Sequence, residues 1–384
     1  MLPLSNVEVL DLSRLLPGPY CSMILADFGA RVVKVEDTAR GDYLRDMGPV
    51  AGGFGTVNRN KQSLALDLKN PRGREIFYRL AARADVVLEG FRPGVTARLG
   101  IDYPTLRRVN PRLVYCSLTG YGQTGPRSQR PGHDVNYLGL SGILGLTGAA
   151  GQAPVIPAVT LADLGGGAMW AAIAILLALW ARERTGEGQY LDVAMLDGLL
   201  AWLPMFAEGV TGLGPAPSRG EVPLAGALAC YRVYAAADGR YLALGALEEK
   251  FWAGFCRVLG RPEWIARQFG ADQEDLAAAV QEVIRTKTRD EWLALFAPAD
   301  VPLEPVYSLF EVAADEHIRS RGMVGPGPCL GVPVKLSATP GGIRTPAPGW
   351  GEHSREVLAG LGYPAEEIDI LAAAGVIREG GRSL

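Results

Sequence analysis

The feature that most constrains this chain is the alternation of short apolar strands with helix-length segments over its first 120 residues. Val7–Leu12, Arg31–Glu36, Leu64–Leu68, Asp85–Leu88 and Leu113–Leu118 read as strands. Between them, Tyr20–Phe28 (after the Pro17-Gly18-Pro19 turn), the stretch that Asn70-Pro71 opens and that runs through Ala82, and Tyr103–Val109 read as helices. Parallel strands need a long crossover, and a helix supplies it. Pro71 suits a helix start because the first helical amide has no intrahelical partner to lose. The pattern predicts an α/β fold on a mostly parallel sheet.

Beyond Gly120 the character changes. Residues 120–160, rich in Gly, Pro and polar side chains, read as a long functional loop region. Helical segments follow at 165–183 and 192–209, then Thr211–Val222 with the composition of a linker. Residues 228–320 form a second unit that opens on the hairpin YRVYAAADGRYLALGAL, with Asp238-Gly239 at its turn. Proline-rich segments around 324–349 lead to a helical tail at 352–377.

At 384 residues the chain is long enough for more than one domain. Its Lys+Arg and Asp+Glu counts, 38 and 41, give a net charge of −3, which offers no broad field for nucleic acid or an anionic membrane. An anionic ligand must therefore meet a local cluster of positive charge. The five cysteines, Cys21, Cys116, Cys230, Cys256 and Cys329, are scattered and form no CxxC or Cys/His cluster, which argues against a disulfide framework or a structural zinc site. The segment MLPLSNVEVLDLS has no basic region or signal-peptide core, and the longest apolar run, Ala168 to Ala181, is 14 residues, short for a membrane span. These features lead to the expectation of a soluble, cytoplasmic protein.

Three groups of residues carry chemistry. Gly120-Tyr121-Gly122-Gln123-Thr124-Gly125 is a formal GxGxxG, but a dinucleotide fingerprint needs a helix to begin inside it, and Pro126 to Gly132 is loop chemistry. These glycines fit a turn close to a ligand better. A second group, Arg59 and Lys61, then Leu66-Asp67-Leu68-Lys69, then Gly90-Phe91-Arg92 and Arg98, falls near strand ends. Singly these are solvated surface residues; together they suit a ligand with several phosphates and a flat ring. A third group is His133-Asp134, Asp163 before Gly165-Gly166-Gly167, and Glu248 after a strand. For His133 a surface loop is the plainer role, and for Asp163 a helix N-cap. The sharper role for Asp163 lies at a helix start whose free amides could steady an oxyanion.

At these residues the chain resembles the family III CoA-transferase superfamily, which holds both CoA-transferases and α-methylacyl-CoA racemases. The segments that carry the resemblance are PGPYCSMILADFGARVVKVE, NRNKQSLALDLK, EGFRPGV, YCSLTGYGQTGPRSQRPGHDVNY, LADLGGG and TGEGQYLDVAMLDG. The resemblance implies a Rossmann-like large domain from residues 1–210 and 325–384, a smaller α+β domain at 225–324, and an interlocked homodimer. It also implies an acyl-CoA substrate and no further cofactor. Gly132-His133-Asp134 followed by Val135-Asn136-Tyr137, and Gly245-Ala246-Leu247-Glu248, resemble racemase segments, and by that resemblance Gly132, Asp134, Val135, Asn136 and Tyr137 are expected to bind the substrate. By that resemblance His133 and Asp163 are the acid and base of a 1,1-proton transfer at the carbon beside the thioester, Glu248 supports His133, and amides near Gly165–Gly167 hold the enolate oxygen. The alternative is a transferase with Asp163 as nucleophile, in which an aspartyl-CoA thioester passes CoA to another acid. A rival of another class is a catalytically idle acyl-CoA binder. Position 37, often a CoA-contacting arginine in this superfamily, is Asp37, with Arg40 the nearest substitute.

Overall fold

The computed structural model describes residues 1–47, 53–325 and 327–380. Ten strands are present among them: β1 (Glu8–Asp11), β2 (Arg31–Glu36), β3 (Lys61–Leu66), β4 (Val86–Glu89), β5 (Val114–Thr119), β6 (Tyr190–Ala194), β7 (Tyr231–Ala235), β8 (Tyr241–Gly245), β9 (Leu303–Pro305) and β10 (Ile377–Arg378). The chain divides into two compact units. The first comprises Met1–Ser141, Ala158–Leu203 and His317–Leu384, and the second comprises Gly142–Pro157 and Pro204–Glu316. The second unit thus starts earlier than the composition break suggests and takes in part of the Gly-rich loop region. The last four residues assigned to the large domain, 381–384, lie outside the described residues.

In the first unit the sheet runs β10-β3-β2-β1-β4-β5-β6. Pairings among β1 to β6 are all parallel, and β10 adds antiparallel to β3. The order 3-2-1-4-5-6 is that of the doubly wound dinucleotide-type fold, in which the direction of winding reverses between β1 and β4. Strands covered on both faces read as continuous apolar runs, and β5 (VYCSLT) is buried along its whole length. Helix Pro71–Ala81 begins on the side chain of Asn70, whose Oδ1 accepts from the amide of Arg72 at 3.0 Å. The C-terminal tail packs Val357, Leu358, Ile368 and Leu371 into the same core.

Two expectations change here. Residues 190–194 are a strand, not the start of a helix. The segment YLDVA pairs with β5 in parallel, and only then do Met195–Leu200 and Ala207–Thr211 turn helical. The apolar run at 168–181 belongs to a longer helix, Ala162–Thr185, which by length and composition alone could cross a membrane. It buries Ala171, Ala172, Ile175, Ala178 and Leu179 as a core helix does.

In the second unit β7, β8 and β9 form an antiparallel sheet. The hairpin is as the sequence predicts, with Tyr231 opposite Gly245 and Ala235 opposite Tyr241. Gly239 holds φ +75° at its turn, where a side chain would be strained. Trp252, Phe255, Trp264, Trp292 and Phe296 fill the core. Two of these buried indoles have their N–H groups paired within the core: Trp252 donates to the carbonyl of Trp264 at 3.0 Å and Trp292 to that of Ile284 at 2.7 Å.

Candidate active site

Open α/β sheets bind ligands where the winding reverses, outside the carboxyl ends of the strands. Two cavities of about 630 Å³ each open there. The first is walled by the segments after β1 (Ser13–Gly18), β4 (Gly90, Arg92, Pro93) and β5 (Gly120, Tyr121), and it also contains Arg130, Gly132, His133, Tyr137 and Asp163. The second is walled by the segments after β2 (Asp37–Arg40), β3 (Asp67–Lys69) and β4 (Phe91, Val95, Arg98). Arg14 and Tyr43 line both. The structure therefore brings His133 and Asp163, 30 residues apart in the chain, to one cavity. A larger cavity of about 900 Å³ in the second unit is lined mostly by small and apolar residues and carries no comparable acid–base pair.

Asp163 sits in the first turn of helix Ala162–Thr185, whose opening eight residues, Ala162–Met169, are π-helical. Such wide turns are uncommon and concentrate at functional sites. Close packing accounts for the glycines. A Cβ on Gly198 would stand 1.9 Å from the carbonyl oxygen of Gly166, and one on Gly166 would stand 2.6 Å from that of Met195. The Gly triplet thus lets helix Met195–Leu200 press directly on the turn that carries Asp163.

Asp163 does not cap this helix. Asp134 does so from across the chain, its Oδ1 accepting from the amides of Ala162 at 2.6 Å and Asp163 at 3.1 Å, while the amide of Leu164 donates to the carbonyl of Thr160. These first amides are therefore already engaged, and the glycines beyond them are packed against Met195, Leu199 and Trp202. The expected oxyanion role for free amides at this helix start gives way to a carboxylate cap. That cap has an electrostatic consequence: burial, reinforced by the charge of Asp134, pushes the Asp163 carboxyl up to about 7.

His133 is exposed at the start of helix Asp134–Ser141. Asn136 fixes its backbone reciprocally, with Oδ1 accepting from the His133 amide at 2.9 Å and its own amide donating to the His133 carbonyl at 2.8 Å. Asn136 and Val135 are exposed and do not line the cavity. Tyr137 does, with its ring edge-on to Tyr121 at 5.0 Å. A Cβ on Gly120 would stand 2.2 Å from the Tyr137 hydroxyl oxygen, and one on Gly132 would stand 2.7 Å from its ring. Gly120, the first glycine of the GxGxxG, thus makes room for this tyrosine, as Gly132 does, while Gly122 and Gly125 hold positive φ of 79° and 83° in the turn that follows.

The basic residues divide by which end of the strands they occupy. Leu66, Asp67, Leu68, Lys69, Phe91 and Arg98 line the second cavity, and Gly90 and Arg92 the first. Arg59 and Lys61 do not belong with them, because they lie at the amino end of β3 and are buried in ionic contacts. Arg59 grips Asp27 with two hydrogen bonds of 3.0 and 2.7 Å. The Lys61 ammonium meets Asp11 at 3.2 Å and donates to the Pro19 carbonyl and Asn58 Oδ1, both at 2.8 Å. Burial draws Lys61 down to about 8. Glu248 lies in the second unit, exposed, at the residue before helix Glu249–Val258.

Sequence reasoning missed Arg14 and Tyr43; the available signal was the position of Arg14 immediately after the first strand. Asp37 has a local task. Its Oδ1 accepts from the amides of Ala39, Arg40 and Gly41 at 3.0, 2.7 and 3.3 Å. Against partial burial, these amides and Arg14 hold its carboxyl below the usual range.

Residues 4–354 match the family described as CoA-transferase family III. The chain is 38% identical over 380 residues to the α-methylacyl-CoA racemase of Homo sapiens, covering 95% of each protein. It is 33% identical over 400 residues to the succinyl-CoA:glutarate CoA-transferase of Homo sapiens, covering 98% of this chain and 90% of that protein. Among solved structures, a CAIB/BAIF family protein from Brucella suis superposes with a TM-score of 0.83 at 32% identity, covering 94% of this chain and 99% of the other.

Proposed function

The chain belongs to CoA-transferase family III, and from that premise we propose that it is an α-methylacyl-CoA racemase. The observation that carries this reading is the meeting of His133 and Asp163 in one cavity at the reversal point of the sheet. Inversion at a carbon needs a base on one face and an acid on the other, each starting in the complementary state. A carboxyl pushed up to about 7 is present in both states at neutral pH, so Asp163 suits either role. In one direction the neutral imidazole of His133 removes the C2 proton, and the C–H electron pair moves toward the thioester oxygen as the enolate. The acid form of Asp163 then delivers its proton to the opposite face of C2. The reverse direction exchanges the roles. Such a proton transfer calls on no redox cofactor.

The same reading includes a cytoplasmic homodimer. What supports the dimer is the apolar stripe of Met169, Trp170, Ile173, Leu177 and Trp180 exposed along helix Ala162–Thr185, the kind of surface that protein interfaces cover.

One observation favours the second reading, a CoA-transferase. Arg14, Arg92 and Arg130 line the Asp163 cavity and suit an acceptor carboxylate. In that chemistry the Asp163 carboxylate attacks the acyl carbon and expels CoA thiolate. The thiolate then attacks the aspartyl carbonyl of the mixed anhydride, releasing the acid and leaving an aspartyl-CoA thioester.

The deciding experiment incubates the protein with a 2-methylacyl-CoA in D2O without free acid. One deuteron gained with loss of stereochemical purity supports the racemase, and His133→Ala then lowers exchange by about 10²–10⁴-fold while CoA affinity stays within about twofold. No exchange, with CoA passing to an added acid, replaces it by the transferase. Neither reaction, with CoA still bound, leaves the idle binder.

A further inference from the structure

The loop after β2, residues 37–43, walls the second cavity with residues 37–40 and reaches the first through Tyr43. From behind, it is held by residues that follow it by some 300 positions in the chain. The Trp350 indole N–H donates to the Asp37 carbonyl at 3.1 Å. A Cβ on Gly41 would stand 3.1 Å from the same indole nitrogen, so the loop backbone lies directly against the ring. Gly41 holds φ +72° there, which a glycine adopts without strain. Arg378 places its guanidinium over the indole, 3.7 Å from the centroid, and steadies it in turn.

A second tie runs beside the first. Arg45 grips Glu36 with two hydrogen bonds of 2.8 Å and donates to the Pro348 carbonyl at 3.2 Å. Glu36 also accepts from the Asp42 amide at 3.0 Å and from the Ser63 hydroxyl at 2.7 Å. That hydroxyl accepts from the Gly351 amide at 2.8 Å. Residues 348–351 thus reach both ends of the loop. The bonds from the amides of residues 39–41 to Asp37 Oδ1 are internal, and they shape the loop without tying it to the body of the fold. Trp350 itself is half-buried and lines neither cavity.

We propose that Trp350 is a positioning residue, which holds the backbone at Asp37 and Gly41 and so sets the wall that this loop presents to substrate. The proposal rests on the acyl-CoA reading above. A loop left loose must be ordered by the ligand, and that entropy is subtracted from binding. His133 and Asp163 have no contact with Trp350 and are held by Asn136 and Asp134, so the chemical step is untouched. Losing Trp350 therefore weakens binding and leaves turnover of the bound substrate as it was.

The test uses the full-length protein and three readouts: backbone hydrogen exchange of the loop, CoA affinity by titration, and kcat at saturating acyl-CoA. Trp350→Phe keeps a ring against Gly41 and loses the N–H donor; CoA affinity falls about 2–10-fold, the scale of one hydrogen bond. Trp350→Ala loses both, and CoA affinity falls further. In each variant the amides of residues 39–41 exchange faster, by about tenfold or more in Trp350→Ala, while those of β2 and β3 do not change. In each, kcat stays within about twofold. If Trp350→Ala does not fold, Trp350→Phe is read alone. Wild-type exchange at residues 39–41 overturns the tie. Faster exchange with unchanged CoA affinity, or a kcat that falls as far as the affinity, overturns the positioning role. A wild-type protein that binds no CoA overturns the acyl-CoA reading and the positioning role with it, and the exchange readout separates that failure from a failure of the tie.

Discussion

The two ends of the parallel sheet make an instructive pair. Both are rich in Arg and Lys, yet they use them in opposite ways. At the amino end, Asp27 receives Arg59 and also Asn60, whose amide nitrogen donates to it at 2.8 Å. Arg344 donates to the carbonyls of Ala26 and Asp27, and the Arg59 guanidinium reaches the Leu330 carbonyl at 2.5 Å. The proline-rich stretch near the C-terminus has little regular secondary structure, and these bonds pin it to the body of the fold. At the carboxyl end, Arg14, Arg40, Lys69, Arg92, Arg98 and Arg130 face cavities. A cation buried together with its carboxylate partner, as Arg59 is with Asp27, is structural; one set at a cavity wall is open to a ligand even where, like Arg14 beside Asp37, it touches a partly exposed carboxylate.

The sharpest way to break this comparison is Arg59→Ala. Asp27 would then be a buried charge without its main partner, so stability falls by about 3–5 kcal/mol in denaturant titrations. CoA affinity of the folded protein stays as in the wild type. A loss of CoA affinity at unchanged stability would place Arg59 with the ligand-binding group after all.

The second prediction probes the active cavity through its pH dependence. Asp163 is raised from 3.8 to about 7, so between those values the native state holds a proton that the unfolded chain has lost. Its contribution to stability is therefore full below about 4 and fades as pH climbs through 7. Asp134→Asn removes the negative charge that adds to burial while keeping an oxygen for the two amides. The limb of the pH–rate profile that reports Asp163 moves to lower pH by about half a unit to one unit, within the range a neighbouring charge commands. An unmoved limb would assign it to another group.

The smallest effect belongs to Lys69→Ala. Lys69 is exposed at the rim of the second cavity, and an exposed charge pair contributes about 1 kcal/mol at most. CoA affinity drops about two- to fivefold, with the difference shrinking as salt rises.

Much of this was legible in the sequence. The strands β1, β2, β4 and β5 and the hairpin β7–β8 follow from local apolar runs and one Asp-Gly turn, signals contained in a few consecutive residues. Strand β6 was lost inside an apparent helix because YLDVA has no decisive pattern of its own and becomes a strand by pairing with β5. The candidate pair His133 and Asp163 was legible by resemblance to known motifs. Spacing did not bring the two residues together, and the crossovers of the fold did.

The sequence by itself determined the α/β class, the two-unit organisation in outline, the family and the residue types able to move a proton. Only the tertiary structure decided that Asp134 caps the helix of Asp163, that Gly120 and Gly132 serve Tyr137, and that Arg59 faces Asp27 while Arg14 faces the cavities. The physical reason is one of range. Periodicity, turn propensity and helix starts are short-range effects written within a few residues. The ionisation of a carboxyl and the availability of a guanidinium depend instead on which groups the folded chain places a few ångströms away, such as Asp27 and Arg59, 32 residues apart in sequence and 2.7 Å apart in space.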